Sequence, residues 1–136
     1  MESHTLDATL LGSDVILITI QGDITDTNLP ALLEDVHRAE AMIKAESEKA
    51  LRPLPILVDV SKLNRTYTPE GIMVLAEFEK ANRPFVTRTA VFGADLKIKF
   101  TGEIISSLSN RHNIAFFDTK EEALASLTAE SSGSAA

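Results

Sequence analysis

The chain has no cysteine. That excludes disulfides, thiol nucleophiles, paired-cysteine redox motifs and zinc sites built on thiolates. No apolar run approaches the roughly 18 residues needed to cross a bilayer, so no membrane span is expected. The opening MESHTLDATL lacks the basic-then-apolar order of a signal peptide, and the expected location is the cytoplasm. Basic residues are also scarce: 13 Lys and Arg stand against 20 Asp and Glu, a net charge of -7, which disfavours nucleic acid as a partner. Finally, there is no Gly-x-Ser-x-Gly, no P-loop and no Gly-x-Gly-x-x-Gly. With neither a nucleophile motif nor a phosphate cradle, no catalytic residue, cofactor or metal is expected, and the chain reads as a non-enzyme.

What is present is an ordinary globular composition, 44% apolar and 24% charged over 136 residues, enough for one domain with a real core. Two β-rich runs, Thr5 to Leu11 and Val15 to Gln21, are joined by Gly12, Ser13 and Asp14 and read as a hairpin. From Asn28 the apolar spacing changes: Leu29, Leu32, Leu33, Val36, Ala39 and Ile43 mark one face of a helix. Asn28 is its expected N-cap, Pro30 lies in its first turn, and Pro53 and Pro55 are expected to end it. Ile56 to Val60 is nearly continuous in apolar residues, as in a strand buried on both faces. Then come a helix from Thr68 and Pro69 to about Asn82, a strand over Thr87 to Gly93, and a helix from about Asp95 to Asn110. A strand over Ile114 to Asp118 follows, then a helix from Thr119 to about Leu127 whose Thr119 and Glu122 have capping-box spacing.

Strands alternating with helices imply a mixed, mostly parallel five-stranded α/β sheet with an N-terminal β-hairpin and about four helices. The expected organisation is a single domain over 1–127 with a flexible tail over 128–136. No internal repeat is visible.

Sites in such sheets form beyond the carboxyl ends of the parallel strands. There the sequence offers Asp23, Asp26, Asp59 and Asp118, which read first as turn and cap residues. Asp59 stands where a receiver domain has its phosphoacceptor, but the acidic pair and the lysine of that family have no counterpart in the right context. His4, His37 and His112 are scattered without metal-site spacing. Lys97 and Lys99 read as solvated surface. On the third helix, Leu96, Ile98, Phe100, Ile104, Ile105 and Leu108 cover an arc of roughly 200°, wider than one core contact needs. Leu96, Phe100, Ile104 and Leu108 are therefore candidates for an apolar ligand or partner surface.

The stretches DVILITIQGDITDTNLPALLEDV, PILVDVSKL, TRTAVFGA and IAFFDTKEEALASL together resemble the STAS domain, and within it the SpoIIAA-like branch of anti-sigma-factor antagonists. The resemblance covers about residues 6 to 127. It implies the same α/β fold, and a regulatory module that binds a protein partner. In sporulation-type antagonists the corresponding turn carries Asp-Ser-Ser-Gly with a phosphorylated serine. Here the segment is TYTPEG: Gly71 lies on the motif's glycine, while Pro69 and Glu70 fall on the serines, so the usual phosphoserine is absent. Thr66, Tyr67, Thr68, Glu70 and Gly71 remain the expected partner-binding turn, with Thr66, Tyr67 and Thr68 as alternative phosphate acceptors. Thr68 before Pro69 reads first as a helix cap. The alternative, implied by the same branch and by the third helix, is a carrier or sensor of a small apolar, lipid-like ligand. A homodimer is open, since an apolar helix face and an edge strand are both available.

Overall fold

In the computed structural model, the described residues are 5–12, 14–108 and 114–133, with the side chains of 65, 66, 100 and 129–133 outside the description. Residue 13 in the hairpin loop, and with it His4 and His112, also lies outside.

Strand β1 (Leu6–Leu11) pairs antiparallel with β2 (Val15–Ile20), matching the hairpin. A short strand β3 (Gly22–Ile24) and a single 3-10 turn (Asp26–Asn28) lead into helix α1 (Leu29–Ala50). Then follow β4 (Leu54–Asp59), β5 (Leu63–Tyr67), α2 (Pro69–Asn82) and β6 (Val86–Phe92). Helix α3 (Leu96–Leu108), β7 (Ile114–Phe117) and α4 (Lys120–Gly133) complete the chain.

The main sheet has five strands in the order β1-β2-β4-β6-β7, parallel except for β1. The expected mostly parallel sheet with one antiparallel edge is thus what forms. A second, two-stranded parallel sheet, β3-β5, is absent from the sequence reading.

The period of two along each strand divides the core between two faces. One face carries the rows Ile16-Ile56-Thr89-Ile114 and Ile18-Val58-Val91-Phe116, read across neighbouring strands. It packs against α1, α2 and α3 through Leu32, Val36, Ile43, Leu75, Phe78, Ile98 and Ile105. The other face carries Val15, Leu57, Ala90 and Phe92 and is closed by Ala123 and Leu127 of α4.

Three local details differ from the sequence reading. The Asn28 side chain does not cap α1; its amide donates to the Asp23 carbonyl at 3.0 Å, because the preceding 3-10 turn already places Asn28 in helical conformation. Neither Pro53 nor Pro55 ends α1. It ends at Ala50, where Leu51 takes a left-handed conformation (φ 60°) and Leu51 N and Arg52 N donate to the Glu48 and Ser47 carbonyls. Pro55 lies inside β4, whose residues Leu54 to Val58 are all buried. At the other end of the chain, α4 continues past Leu127 to Gly133.

One buried acid joins the layers. Asp35, on α1 and 5% exposed, accepts from Thr5 N at 3.0 Å and Leu6 N at 3.2 Å through one carboxyl oxygen, and from Arg38 at 3.2 Å through the other. It thereby fastens the edge strand β1 onto the helix layer.

Candidate functional site

Two of the acidic residues at the carboxyl ends of the strands, Asp23 and Asp59, are engaged in shaping loops. Asp59 Oδ1 accepts from Ser61 N at 2.8 Å and Ser61 Oγ at 2.6 Å, and Asp23 Oδ1 accepts from Asn64 Nδ2 at 2.8 Å. Asp118 is 87% exposed and reaches Lys99 only at 3.9 Å. Gly93 (φ 87°) is held so close to this loop that a Cβ on it would lie 2.8 Å from the Ser61 backbone. Among the described residues no cluster of three or more His, Asp or Glu could hold a metal ion. Nor does any helix of the described residues have the length and apolarity to cross a membrane.

The TYTPEG segment is split between two elements. Thr66 and Tyr67 belong to β5, and the Thr66 side chain lies outside the description. Thr68 is the N-cap of α2: its Oγ1 accepts from Gly71 N at 3.3 Å, with Pro69 in the first turn. That arrangement matches the cap expected from Thr-Pro, a contribution of about 1 kcal/mol. Glu70 is exposed, whereas Gly71 is buried with its Cα against the Ile24 side chain, where a Cβ would collide.

The broad apolar arc of α3 divides in two. Ile98 and Ile105 are buried, while Leu96 (83%), Leu108 (52%) and Ile104 (38%) are exposed. Phe100's side chain lies outside the description. Met73 on α2 is a further exposed apolar side chain.

The most distinctive feature lies beneath helices α2 and α3. Between the sheet and helices α2 and α3 lies a cavity of about 100 Å³. Its floor is the second cross-strand row, Ile18, Val58, Val91 and Phe116, and its roof is Leu75 and Phe78 of α2 with Ile98, Gly102 and Ile105 of α3. The small sheet closes the end nearest the strand carboxyl termini with Ile24, Leu63 and Tyr67. Interiors of this size class are normally packed with few voids larger than a water molecule. A space lined mostly by apolar side chains resembles those that take up small apolar molecules. Three of the four floor side chains, Ile18, Val58 and Val91, are short, stiff and β-branched, and the roof contains a glycine. Gly102 sits directly over the Phe116 ring, 2.7 Å from Cζ to where its Cβ would be.

Tyr67, with Glu79, Asn82, Thr89 and Thr101, is among the few polar residues of the lining. Its hydroxyl is fully enclosed and has no hydrogen-bond partner among the described residues. Leaving a buried hydroxyl unpaired costs about 1–3 kcal/mol. The ring is fixed by its strand, where Tyr67 pairs with Ile24, and by the Lys97 ammonium, 5.6 Å from the ring centroid.

Sequence reasoning brought Tyr67 forward as a phosphate acceptor and placed Ile98 and Ile105 on the broad apolar arc of the third helix. It did not single out Ile18, Val58, Val91 or Gly102, which read simply as strand and helix residues. A glycine in the middle of a helix was the one available sign of close approach.

A family model described as SpoIIAA-like matches residues 15–127. No curated protein matches. Among solved structures, an uncharacterized protein of Shewanella loihica with a SpoIIAA-like fold superposes with a TM-score of 0.62 at 15% identity, over 93% of this chain and 98% of that one. The anti-sigma factor antagonist SpoIIAA in its unphosphorylated form gives 0.58 at 13% identity, over 91% and 96%. The Bacillus cell fate determinant SpoIIAA in its phosphorylated form gives 0.54 at 13% identity, over 88% and 96%. At these identities the structural likeness speaks for the fold, while the family model spans the sheet from β2 through most of α4; the chain belongs to the SpoIIAA-like family.

Proposed function

We propose that this chain is a non-enzymatic regulatory module that binds a small apolar molecule in the cavity between its sheet and helices α2 and α3. One observation carries the reading: an apolar-lined space of about 100 Å³ lies between the sheet and helices α2 and α3. Burying apolar ligand surface there gains roughly 25 cal/mol per Å². The loop hydrogen bonds of Asp23 and Asp59 and the missing nucleophile motifs support binding over catalysis.

The test is to fill the space. Val58→Phe, on the cavity floor, should abolish uptake of small apolar probes while the protein stays folded. Heat stabilisation and native mass spectrometry across a panel of small apolar compounds would be compared for the two proteins. Identical behaviour of both proteins, or no stabilisation of the wild type by any compound, would reject the cavity as a binding site.

A second reading is supported by a separate surface. Met73, Leu96, Ile104 and Leu108 leave apolar area exposed on α2 and α3, as a protein-docking face would. In this reading a protein partner binds over Thr66–Gly71 and α2, without the usual phosphoserine, and the Thr68 cap argues against a switch by phosphate. A pull-down that loses the same partner in Met73→Arg, an exposed position on α2, would support it. Capture that is indifferent to that change would count against it. The module is taken to be residues 1–127, acting in the cytoplasm, with 128–136 outside the site and a homodimer as an option for the exposed face.

A further inference from the structure

The solvent side of α3 carries a pattern that can match itself. Leu96, Ile104 and Leu108 are all exposed and stand at multiples of four residues, and the sequence places Phe100 at the same spacing between them. Positions four apart lie one above another on a helix, so Leu96, Ile104 and Leu108 make one apolar row facing solvent, while Ile98 and Ile105 face the core. A contiguous exposed apolar patch marks an interaction site.

The charges beside the row select its occupant. Lys99 and Glu103 stand one residue before positions 100 and 104, on one flank of the row; Glu103 is exposed and Lys99 partly so. Within a single helix, Lys before Glu is the less favourable order for a pair four apart, and Lys99 otherwise reaches only the exposed Asp118, at 3.9 Å. An anionic membrane surface is a poor occupant, because it favours basic flanks and this chain carries a net charge of -7. A second copy fits better. When two such helices pack antiparallel about a two-fold axis, each flank meets the same flank of the other helix running the opposite way. With the axis at the level of Gly102, Leu96 meets the partner's Leu108, and the two Ile104 side chains lie on either side of the axis. Lys99 and the partner's Glu103 then differ in level by only about 3 Å of helix rise, within reach of a lysine, and the symmetric pair forms as well. Because the net charge of each copy opposes association, two copies can meet only where the local charges pair.

We propose that α3 is a homodimer interface, in which two copies pack α3 antiparallel on α3, bury Leu96, Ile104 and Leu108, and pair Lys99 with the partner's Glu103. This rests on the exposed face of the second reading being an interface, and it names a second copy as the occupant. The cavity reading stands apart, since Ile98, Gly102 and Ile105 line the cavity from the other side of the helix. The 13 residues of α3 span about 20 Å, so the contact falls below the roughly 800 Å² per partner of a standard interface, and the dimer is weak, with a Kd of the order of 10 µM.

The experiment is sedimentation equilibrium of the full chain from about 1 µM to 1 mM, which brackets that affinity. The wild type should pass from monomer to dimer across the range. Lys99→Glu and Glu103→Lys each set like charges opposite one another twice across the axis, and each alone should weaken the dimer at least about tenfold. Mixed in equal amounts, the two variants should regain association, because one copy then presents two acids to the other's two lysines. The double exchange on one chain should restore the wild-type affinity to within about threefold. Misfolding or a mere change of net charge would not give recovery in the mixture. A wild type that stays monomeric over the whole range overturns the proposal and leaves the exposed face to a different protein, which the Met73→Arg capture tests separately. A dimer that neither single exchange weakens, or a mixture that fails to regain association, overturns the antiparallel pairing on α3.

Discussion

Replacing Gly102 by alanine puts a methyl group where the Phe116 ring now lies, 2.7 Å from its Cζ and 3.1 Å from its Cε2. Ordinary contact begins near 3.4 Å, so the ring must retreat by about 0.7 Å. In a fully packed core that displacement forces neighbours off their rotamers and costs about 1–3 kcal/mol. Here the ring borders the cavity and has somewhere to go, so the cost should fall to a few tenths of a kcal/mol. Against it stands the gain of alanine over glycine in a helix interior, about 1 kcal/mol. The net expectation is a stabilisation of about 0.5–1 kcal/mol, read as a higher denaturant midpoint at constant m and a melting temperature raised by about 2–4 °C. The ring now fills part of the cavity, so cyclopentane should bind at least several-fold more weakly. A loss of more than 1 kcal/mol would refute the reasoning, since it would mean that the space beside Phe116 cannot receive the ring.

Four further outcomes follow from the same structure. Asp35→Ala removes the acceptor of two backbone N–H groups at the start of β1 and should cost about 2–4 kcal/mol in urea unfolding, with early hydrogen exchange at Thr5 and Leu6. Gly93→Ala meets the Ser61 backbone, which cannot turn aside as a ring can, and adds strain at φ 87°; a loss of about 2–4 kcal/mol is expected by the same assay. Leu51→Gly relieves a left-handed residue that is 90% exposed and packs nothing, and should raise stability by up to about 1 kcal/mol in thermal unfolding. Burial raises the Glu40 carboxyl above its ordinary 4.5, opposed by the nearby His37. The folded state therefore holds that proton more tightly than the unfolded chain, and the associated stability, full below 4.5, is lost as pH rises through the raised value. Glu40→Gln should make the protein more stable than the wild type at pH 7 and remove that part of the decline, as measured by denaturation across the pH range.

The main sheet and its helices were legible because each carries a strong, uninterrupted pattern. Leu32, Val36, Ala39 and Ile43 repeat at helical spacing, and all are buried on α1. Ile56 to Val58 is apolar throughout because both faces of β4 are covered, one by α1–α3 and the other by α4. The small β3-β5 sheet was not legible, since Gly22-Asp23-Ile24 is too short to alternate and β5 carries polar Asn64 and Arg65 in its middle. Its pairing comes from tertiary structure, with Gly22 N donating to the Lys62 carbonyl and Thr68 N to that of Ile24. The end of α1 was misplaced because a left-handed leucine has no compositional sign, whereas the prolines that follow it do. The cavity escaped for a different reason. A void is a difference between the volume that the backbone encloses and the volume that Val58, Val91, Gly102 and Ile105 supply, and no single residue type announces it.

The order of strands in the main sheet, β1-β2-β4-β6-β7, is also their order along the chain. Each new strand therefore docks beside the one made just before it, with no place held open for a later arrival. During synthesis the β1-β2 hairpin can form first, and each helix-strand unit then extends the growing edge in turn, so loop-closure costs are met in small local instalments. Only α4, the last element made, packs on the second face, where it covers Leu57, Ala90 and Phe92. Until it emerges that face is bare. A chain arrested before residue 120 should therefore have a paired sheet with helices on one side and a sticky hydrophobic surface on the other, the state most in need of a chaperone.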